Sequence, residues 1–498
     1  MSELTRLANA VLQPGFDGLT PPDWLRRALA DGLGGVLLWD RNIATPAQII
    51  KLTEALRVEN PDVLIAIDEE GGDVTRLEST TGSSWPGNAA LGVIDDVELT
   101  RAVAGAIGRE LSAVGINLNY APVADTNVNP NNPVIGVRSF GADYGRVAAH
   151  TAAFVTGLQA QGVAACAKHF PGHGDTSIDS HLGLPVVDDD AEGIAFGALI
   201  PFQAAINAGV HAVMSAHIVL PAIDSMPATL SRRLLTGILR EDLGYDGLVI
   251  TDAIEMAAIK KTYGLEEGAV RAIAAGADVV CIGGWRDAKA VVARLRDALT
   301  AAVRTGRLSE ERLAEAARRA RRVAAWSAGT RGDHTGTAAG DRTIGLAAAR
   351  RALRIVGTLA PLPAPPHVIE LSPLVNAQIG PSTQWGLTAA LTRQLSATTG
   401  QRLTGPPDDV AALAAAAAGR PLVIVVRDAH RHLWVTATLQ TLLKARPDAG
   451  VVEMGLPHSQ IPPSVAYLAT YGAAAVCSLA AAAALTTAQA AEAPTSLA

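Results

Sequence analysis

The strongest constraint on this fold is a rhythm. Seven short apolar runs alternate with polar loops and helical patterns: Gly35–Trp39, Val63–Asp68, Ile116–Tyr120, Val163–Ala167, Ala212–Ala216, Gly247–Thr251 and Asp278–Ile282. Connecting pieces such as Thr45–Glu59 and Glu98–Val114 carry apolar residues at helical spacing. Apolar runs of this length, separated by helices, read as parallel βαβ units with both sheet faces covered. Seven such units in about 320 residues exceed the usual doubly wound sheet. The expected fold class is therefore α/β, a (β/α)8 TIM-type barrel, with its eighth strand near Val11–Gly15. A doubly wound sheet is the alternative.

A chain of 498 residues exceeds one ordinary core. Glu310–Trp326 reads as an amphipathic, Arg-rich helix that closes a first domain over 1–326. Residues 327–343, rich in Gly, Thr and Ala, read as a linker. Residues 344–498 then form a smaller α/β sandwich, with strands at Arg354–Gly357, Val368–Leu371, Leu422–Val426 and Val451–Met454. Glu492–Ala498 reads as a frayed tail.

Composition excludes several function classes. A formal net charge of -7, with 18% charged and 49% hydrophobic residues, is neither disordered nor basic enough for nucleic acid. Cys166, Cys281 and Cys477 are odd in number and far apart, so buried thiols are expected rather than a disulfide framework. The Ala-rich runs Val410–Ala418 and Ala473–Leu485 are too short to span a membrane, so no membrane partner is expected. Met1–Arg6 leads into helical sequence without a basic and then apolar leader, and a cytoplasmic location is the expectation.

In a parallel barrel, chemistry collects at the C-terminal strand ends. Here those ends carry Asp68-Glu69-Glu70, Asn119 to Asp125, Lys168-His169, Ser215-Ala216-His217 and Thr251-Asp252. The densest stretch is Lys168 to His181, which packs three His, two Asp and a Lys into fourteen residues. Pro171, Gly172, Gly174, Gly183 and Pro185 make the stretch to Pro185 irregular rather than a helix or a ladder strand. A metal set of His169, His173, Asp175, Asp179 and His181 is disfavoured, because Pro171 and Gly172 keep His169 and His173 off one helix face and no Cys accompanies them. Neither a metal nor another cofactor is expected. Asp179 stands two residues before His181, and in a loop such neighbours hydrogen-bond, which raises the basicity of the other ring nitrogen. Ser180 lies in no Gly-x-Ser-x-Gly elbow, so it is not read as a nucleophile.

Asp252 follows the apolar run Gly247–Thr251, and a carboxylate there is paired, used chemically, or caps the next helix. Asp68 and Arg76 flank the glycines Gly71 and Gly72. An Asp there accepts two hydroxyl hydrogen bonds, and an Arg grips several oxygens. Arg138 follows an Asn- and Pro-rich loop ordered by its turn chemistry. Nothing in 345–498 offers a comparable site, since His430, His432 and His458 are scattered.

Lys168-His169-Phe170-Pro171-Gly172-His173-Gly174-Asp175-Thr176, followed by Asp179-Ser180-His181, resembles the signature of glycoside hydrolase family 3, in its β-N-acetylglucosaminidase branch. Asp68 to Arg76, Ala121 to Asp125, Arg138 to Gly141 and Gly247 to Met256 support the resemblance in family order. It implies a retaining hydrolase of small glycosides, with Asp252 as nucleophile, His181 as acid/base and Asp179 as its dyad partner. It also implies that Asp68, Arg76, Arg138, Lys168 and His169 bind the sugar. One departure is Asp73, where the family commonly has a basic residue, and it bears on the salt bridging of that turn. Cell-wall muropeptide fragments or chito-oligosaccharides are the expected substrates. Because a neutral imidazole does not repel an anion, phosphate in place of water is a second reading, giving a phosphorylase. An inactive sugar-binding protein is a third, and it predicts a missing essential residue, whereas Asp252, Asp179 and His181 are all present.

Overall fold

The computed structural model describes residues 2–188, 190, 193–284, 286–330, 342–373, 378–380, 385–457 and 465–487. The chain packs as two compact units. The first holds Met1–Glu70, Val97–Ile135 and Gly141–Asp341; the second holds Gly71–Asp96, Gly136–Phe140 and Arg342–Ala498.

In the first unit the rhythm becomes eight strands: β1 (Leu12–Pro14), β2 (Gly35–Leu38), β3 (Leu64–Ile67), β4 (Leu118–Asn119), β5 (Ala164–Phe170), β6 (Ala212–Ser215), β7 (Leu248–Thr251) and β8 (Val280–Ile282). β2 to β7 pair in sequence order, and β1 pairs with β8, all parallel. Bridges from Gly15 to Leu37 and from Ile250 to Val279 join the two ladders into a closed ring. The doubly wound alternative is thereby excluded, and the eighth strand lies where the N-terminal run predicts it. The helix expected over Thr45–Glu59 forms at Pro46–Glu59, and the Thr45 hydroxyl caps it by accepting from the amide of Gln48 at 3.2 Å.

Side chains alternate along a strand, so every second residue enters the barrel. Leu64 and Ala66, Ala164 and Cys166, Ala212 and Met214, and Leu248 and Ile250 fill the interior with Leu37, Leu118, Val279 and Cys281. Extending that parity by two residues gives Asp68, Lys168 and Asp252, with Ala216 after β6, so charged groups stand where the apolar filling stops. Near the start of β8 the buried Asp278 accepts from the amide of Val249 at 2.9 Å and pairs with Arg240 at 2.6 Å and Arg312 at 2.5 Å. A fully buried carboxylate persists only with partners of this kind.

The second unit is a parallel sheet with one antiparallel edge, in the order β11 (Thr399–Leu403), β10 (His367–Leu371), β12 (Leu422–Val426), β13 (Gly450–Glu453), β14 (Tyr467–Ala469), β9 (Arg354–Val356). The sequence expectation lacks two of these strands. Thr-Gly-Gln-Arg-Leu at β11 is an exposed edge with no apolar pattern, and β14 has only three residues. Residues 71–96 fold into this unit for steric and polar reasons. A Cβ on Gly345, in the helix Thr343–Ala352, would stand 2.1 Å from the carbonyl oxygen of Ser84. Arg351 pairs with Asp96 at 2.9 Å, and Arg354 donates to the carbonyl of Val93 at 2.8 Å. Asp73 is buried against Arg427 and accepts from the amide of Ala473 at 2.6 Å, so the salt bridging of its turn is made with the C-terminal sheet. Of the expected linker, Ser327–Thr330 continue the helix Glu310–Thr330, and 331–341 lie outside the described residues, as do His458 and the expected tail. Among the described residues no helix is long and apolar enough to cross a membrane.

At the end of β13 the buried Glu453 accepts from the amides of Asp428 at 2.8 Å and Gly455 at 2.7 Å. Burial, and then the neighbouring Asp428 carboxylate, push its carboxyl above the ordinary glutamate value. The folded chain therefore keeps a proton that the unfolded chain releases. This stabilisation is complete below the ordinary glutamate range and is lost as pH rises through the raised folded value. Glu453→Gln, which keeps the amide acceptor without the titration, is expected to flatten that decline in a series of urea midpoints against pH. An unchanged slope would assign the decline to other groups.

Candidate active site

β5 runs through Phe170, farther than its Pro- and Gly-rich continuation predicts. Its register shifts between Lys168 and Phe170. The strand is held there by a bridge from Val123 to Lys168, and the Phe170 ring packs edge-on against Phe202 at 5.4 Å. Lys168 is thereby fixed in the polar layer above the barrel filling. Its ammonium pairs with Asp68 at 2.6 Å and with Glu70 at 2.7 Å, and all three groups are buried. Two carboxylates on one ammonium satisfy a charge that burial would otherwise expel.

His169 turns its Nδ1 to Asp125 Oδ2 at 2.6 Å, and Asp125 Oδ1 accepts from the amides of His169 at 3.1 Å and His173 at 2.7 Å. Burial raises the Asp125 pKa, but the imidazoles of His169 and His173 and these hydrogen bonds bring it below the ordinary aspartate value. His173 is buried, with Nδ1 on Thr176 at 2.7 Å and Nε2 on Ser180 at 3.2 Å. Burial and the neighbouring His169 lower its pKa to about 4. Asn132 donates to the carbonyl of His173 at 2.8 Å and secures the same loop. These ring nitrogens are spent on the protein. Among the described residues no three His, Cys, Asp or Glu groups converge as a metal set.

The loop then reaches Asp179 and His181. Asp179 Oδ1 meets His181 Nδ1 at 2.7 Å and accepts from the His181 amide at 2.9 Å. Asp179 is buried, while 30% of the His181 side chain is exposed. Burial raises the Asp179 pKa, but the hydrogen bonds from His181 outweigh it and hold the carboxyl below its ordinary value. With Nδ1–H donated to that carboxylate, the ring is held in one orientation and one tautomer.

Asp252 stands past β7 and keeps some exposure. Its amide donates to the carbonyl of Ser215 at 3.0 Å, and its Oδ1 accepts from the amide of Ala253 at 2.7 Å. Burial works against its charge, but His169, His217 and His181 overcome that and lower its pKa to about 2. His217 is buried between the Thr229 hydroxyl at 2.8 Å and the Ala253 carbonyl at 3.0 Å. The first unit thus brings together Asp68, Lys168, His169 and Asp252, and the Asp179–His181 pair.

Arg76 and Arg138 lie in the second unit. Arg76 is buried and donates to the carbonyl of Gln378 at 2.7 Å, and the main-chain carbonyl of Arg138 accepts from Asn88 at 2.7 Å. Asp125, Glu70 and His217 carry no assigned role in the sequence analysis. Each stands in a quoted strand-end segment, but its partner is more than 10 residues away, and no local spacing reveals it.

Lys168→Met is expected to destabilise the protein by about 3–5 kcal/mol, because two carboxylates lose their buried counter-charge. Denaturant melts of the full chain read this directly. A loss below about 1 kcal/mol would mean that Asp68 and Glu70 find other partners.

The family model for the glycosyl hydrolase family 3 N-terminal domain matches residues 22–323. The chain is 38% identical over 323 residues to beta-hexosaminidase A of Pseudoalteromonas piscicida, covering 59% of this chain and 53% of that protein. The match therefore spans about half the length of that relative. A beta-hexosaminidase of Pseudomonas aeruginosa is 37% identical over 247 residues, covering 50% of this chain and 74% of that one. Among solved structures, a glycoside hydrolase family 3 beta-N-acetylglucosaminidase from Paenibacillus sp. str. FPU-7 aligns with a TM-score of 0.88 at 35% identity, over 98% of this chain and 97% of that one. From its signature residues, its closed barrel and the span of these matches, the chain belongs to glycosyl hydrolase family 3.

Proposed function

We propose that the protein is a retaining exo-β-N-acetylglucosaminidase that removes terminal β-linked N-acetylglucosamine from soluble fragments such as muropeptides or chito-oligosaccharides. The observation that carries this reading is the pairing of an ionised Asp252, held down to about 2, with an Asp179–His181 dyad at 2.7 Å. The similarity to a beta-hexosaminidase and to a beta-N-acetylglucosaminidase supports the glycone.

In the first step the Asp252 carboxylate attacks the anomeric carbon as the glycosidic bond breaks, and Nε2 of protonated His181 gives its proton to the departing oxygen. In the second step neutral His181 takes a proton from water. The water oxygen bonds to the same carbon, and Asp252 leaves as carboxylate. Two inversions at one carbon give net retention. Asp179 keeps the ring in one tautomer and favours its charged form after each proton gain. The family resemblance supports sugar contacts by Asp68, Lys168 and His169.

Asp252→Ala is expected to lower kcat/KM on an aryl N-acetylglucosaminide by at least about 10³-fold. His181→Ala is expected to cost about 10²- to 10⁴-fold on alkyl glycosides, and far less on a dinitrophenyl glycoside whose leaving group needs no proton. Product analysis with and without phosphate separates the acceptors. Sugar 1-phosphate as the main product would replace the hydrolase reading by the phosphorylase one, and full activity of Asp252→Ala would overturn both.

A further inference from the structure

Three residues beyond Asp252 stands Glu255, in the turn before the helix Ala257–Tyr263. Its Oε1 accepts from the amide of Gly284, just past β8. The backbone around that carboxyl is bare: a Cβ on Gly283 or Gly284 would stand 3.1 or 3.2 Å from Oε1. The two glycines therefore form a cradle closed against the carboxyl. The inward parity of Val279 and Cys281 carries on to Gly283, two residues past the register position of Asp252. Trp39 Cζ2 is 3.4 Å from the Cβ position of Gly283.

The second oxygen, Oε2, is sealed from solvent and has no hydrogen-bond partner among the described residues. Leaving a buried oxygen in that state costs about 1–3 kcal/mol, so the carboxyl is poorly explained as a device for stability. Burial raises its pKa above the ordinary glutamate value, with the neighbouring Asp252 carboxylate adding to the rise and the backbone amides opposing it. The turn is also tied to β8 from the amide of Ile254 to the carbonyl of Cys281 at 3.0 Å.

We infer that Glu255 is a positioning residue for the nucleophile: by clamping Gly284 it fixes the Asp252–Met256 turn against the end of β8 and aims the Asp252 carboxylate. This rests on the glycosidase reading, in which Asp252 must meet the anomeric carbon in line. A displacement of about 1 Å at such a group can cost 10²-fold in rate without touching affinity.

The test uses the full chain and its Glu255→Gln, Glu255→Ala and Glu255→Asp variants. Each is labelled with a slow fluorinated N-acetylglucosaminyl fluoride. KI and kinact are read separately, the label is located by peptide mapping, and melting temperatures are recorded. Glu255→Ala and Glu255→Asp are expected to lower kinact about 10- to 100-fold with KI within about threefold. Glu255→Gln keeps an oxygen acceptor for Gly284 and is expected to stay within about threefold of the parent in kinact. If the Ala variant fails to fold, the Asp variant carries the comparison. Unchanged kinact in Glu255→Asp, a loss in Glu255→Gln equal to that of Glu255→Ala, or a change confined to KI would each overturn the positioning role. Label on Asp252 in the parent alongside unaffected variants defeats this inference alone. A parent labelled elsewhere or not at all defeats the glycosidase reading and the inference with it.

Discussion

A single ammonium organises the mouth of the barrel. Lys168 is buried between Asp68 and Glu70, 2.6 and 2.7 Å away, in the first polar layer above the apolar filling. Burying one cation with two carboxylates demands tight geometry, since a loose fit leaves desolvation uncompensated. That demand fixes the end of β3 against the end of β5. It also gives the mouth of the barrel a rigid polar floor. The imidazoles of the same rim act on a different target. His169, His181 and His217 bear on Asp252, and their sum outweighs the burial that opposes its charge.

The barrel was largely legible in the sequence because its determinants are local. Short apolar runs define strands, and alternation then dictates which residues point inward. Asp68, Lys168 and Asp252 stand on the inward parity of their strands, so their convergence follows from topology alone. Asp179 and His181 were legible for another reason, since their partnership spans two residues and needs no knowledge of the fold.

What stayed hidden depends on contacts across the chain. Asp125 serves His169 and His173 from over 40 residues away, and Glu70 serves Lys168 from farther still. Nothing in the spacing of either segment reports the other. β11 was hidden for a physical reason of its own: an exposed edge strand has no buried face to impose an apolar pattern. The irregularity expected from Lys168 onward begins later, because Pro and Gly act on the chain after Phe170 while the ladder still holds the residues before it.

The second unit is sewn from three stretches of chain. Gly71–Asp96 and Gly136–Phe140 precede the bulk of it by hundreds of residues. Trp85 and Phe140, both fully buried, belong to those early stretches. During synthesis they leave the ribosome long before the sheet that completes their unit. They must wait with apolar side chains uncovered, a period in which nascent chains are open to chaperones and to aggregation. A single cut near 330 therefore does not yield a clean barrel domain. It strands two segments whose packing partners lie on the discarded piece, and the catalytic half of the gene is not a separable cassette.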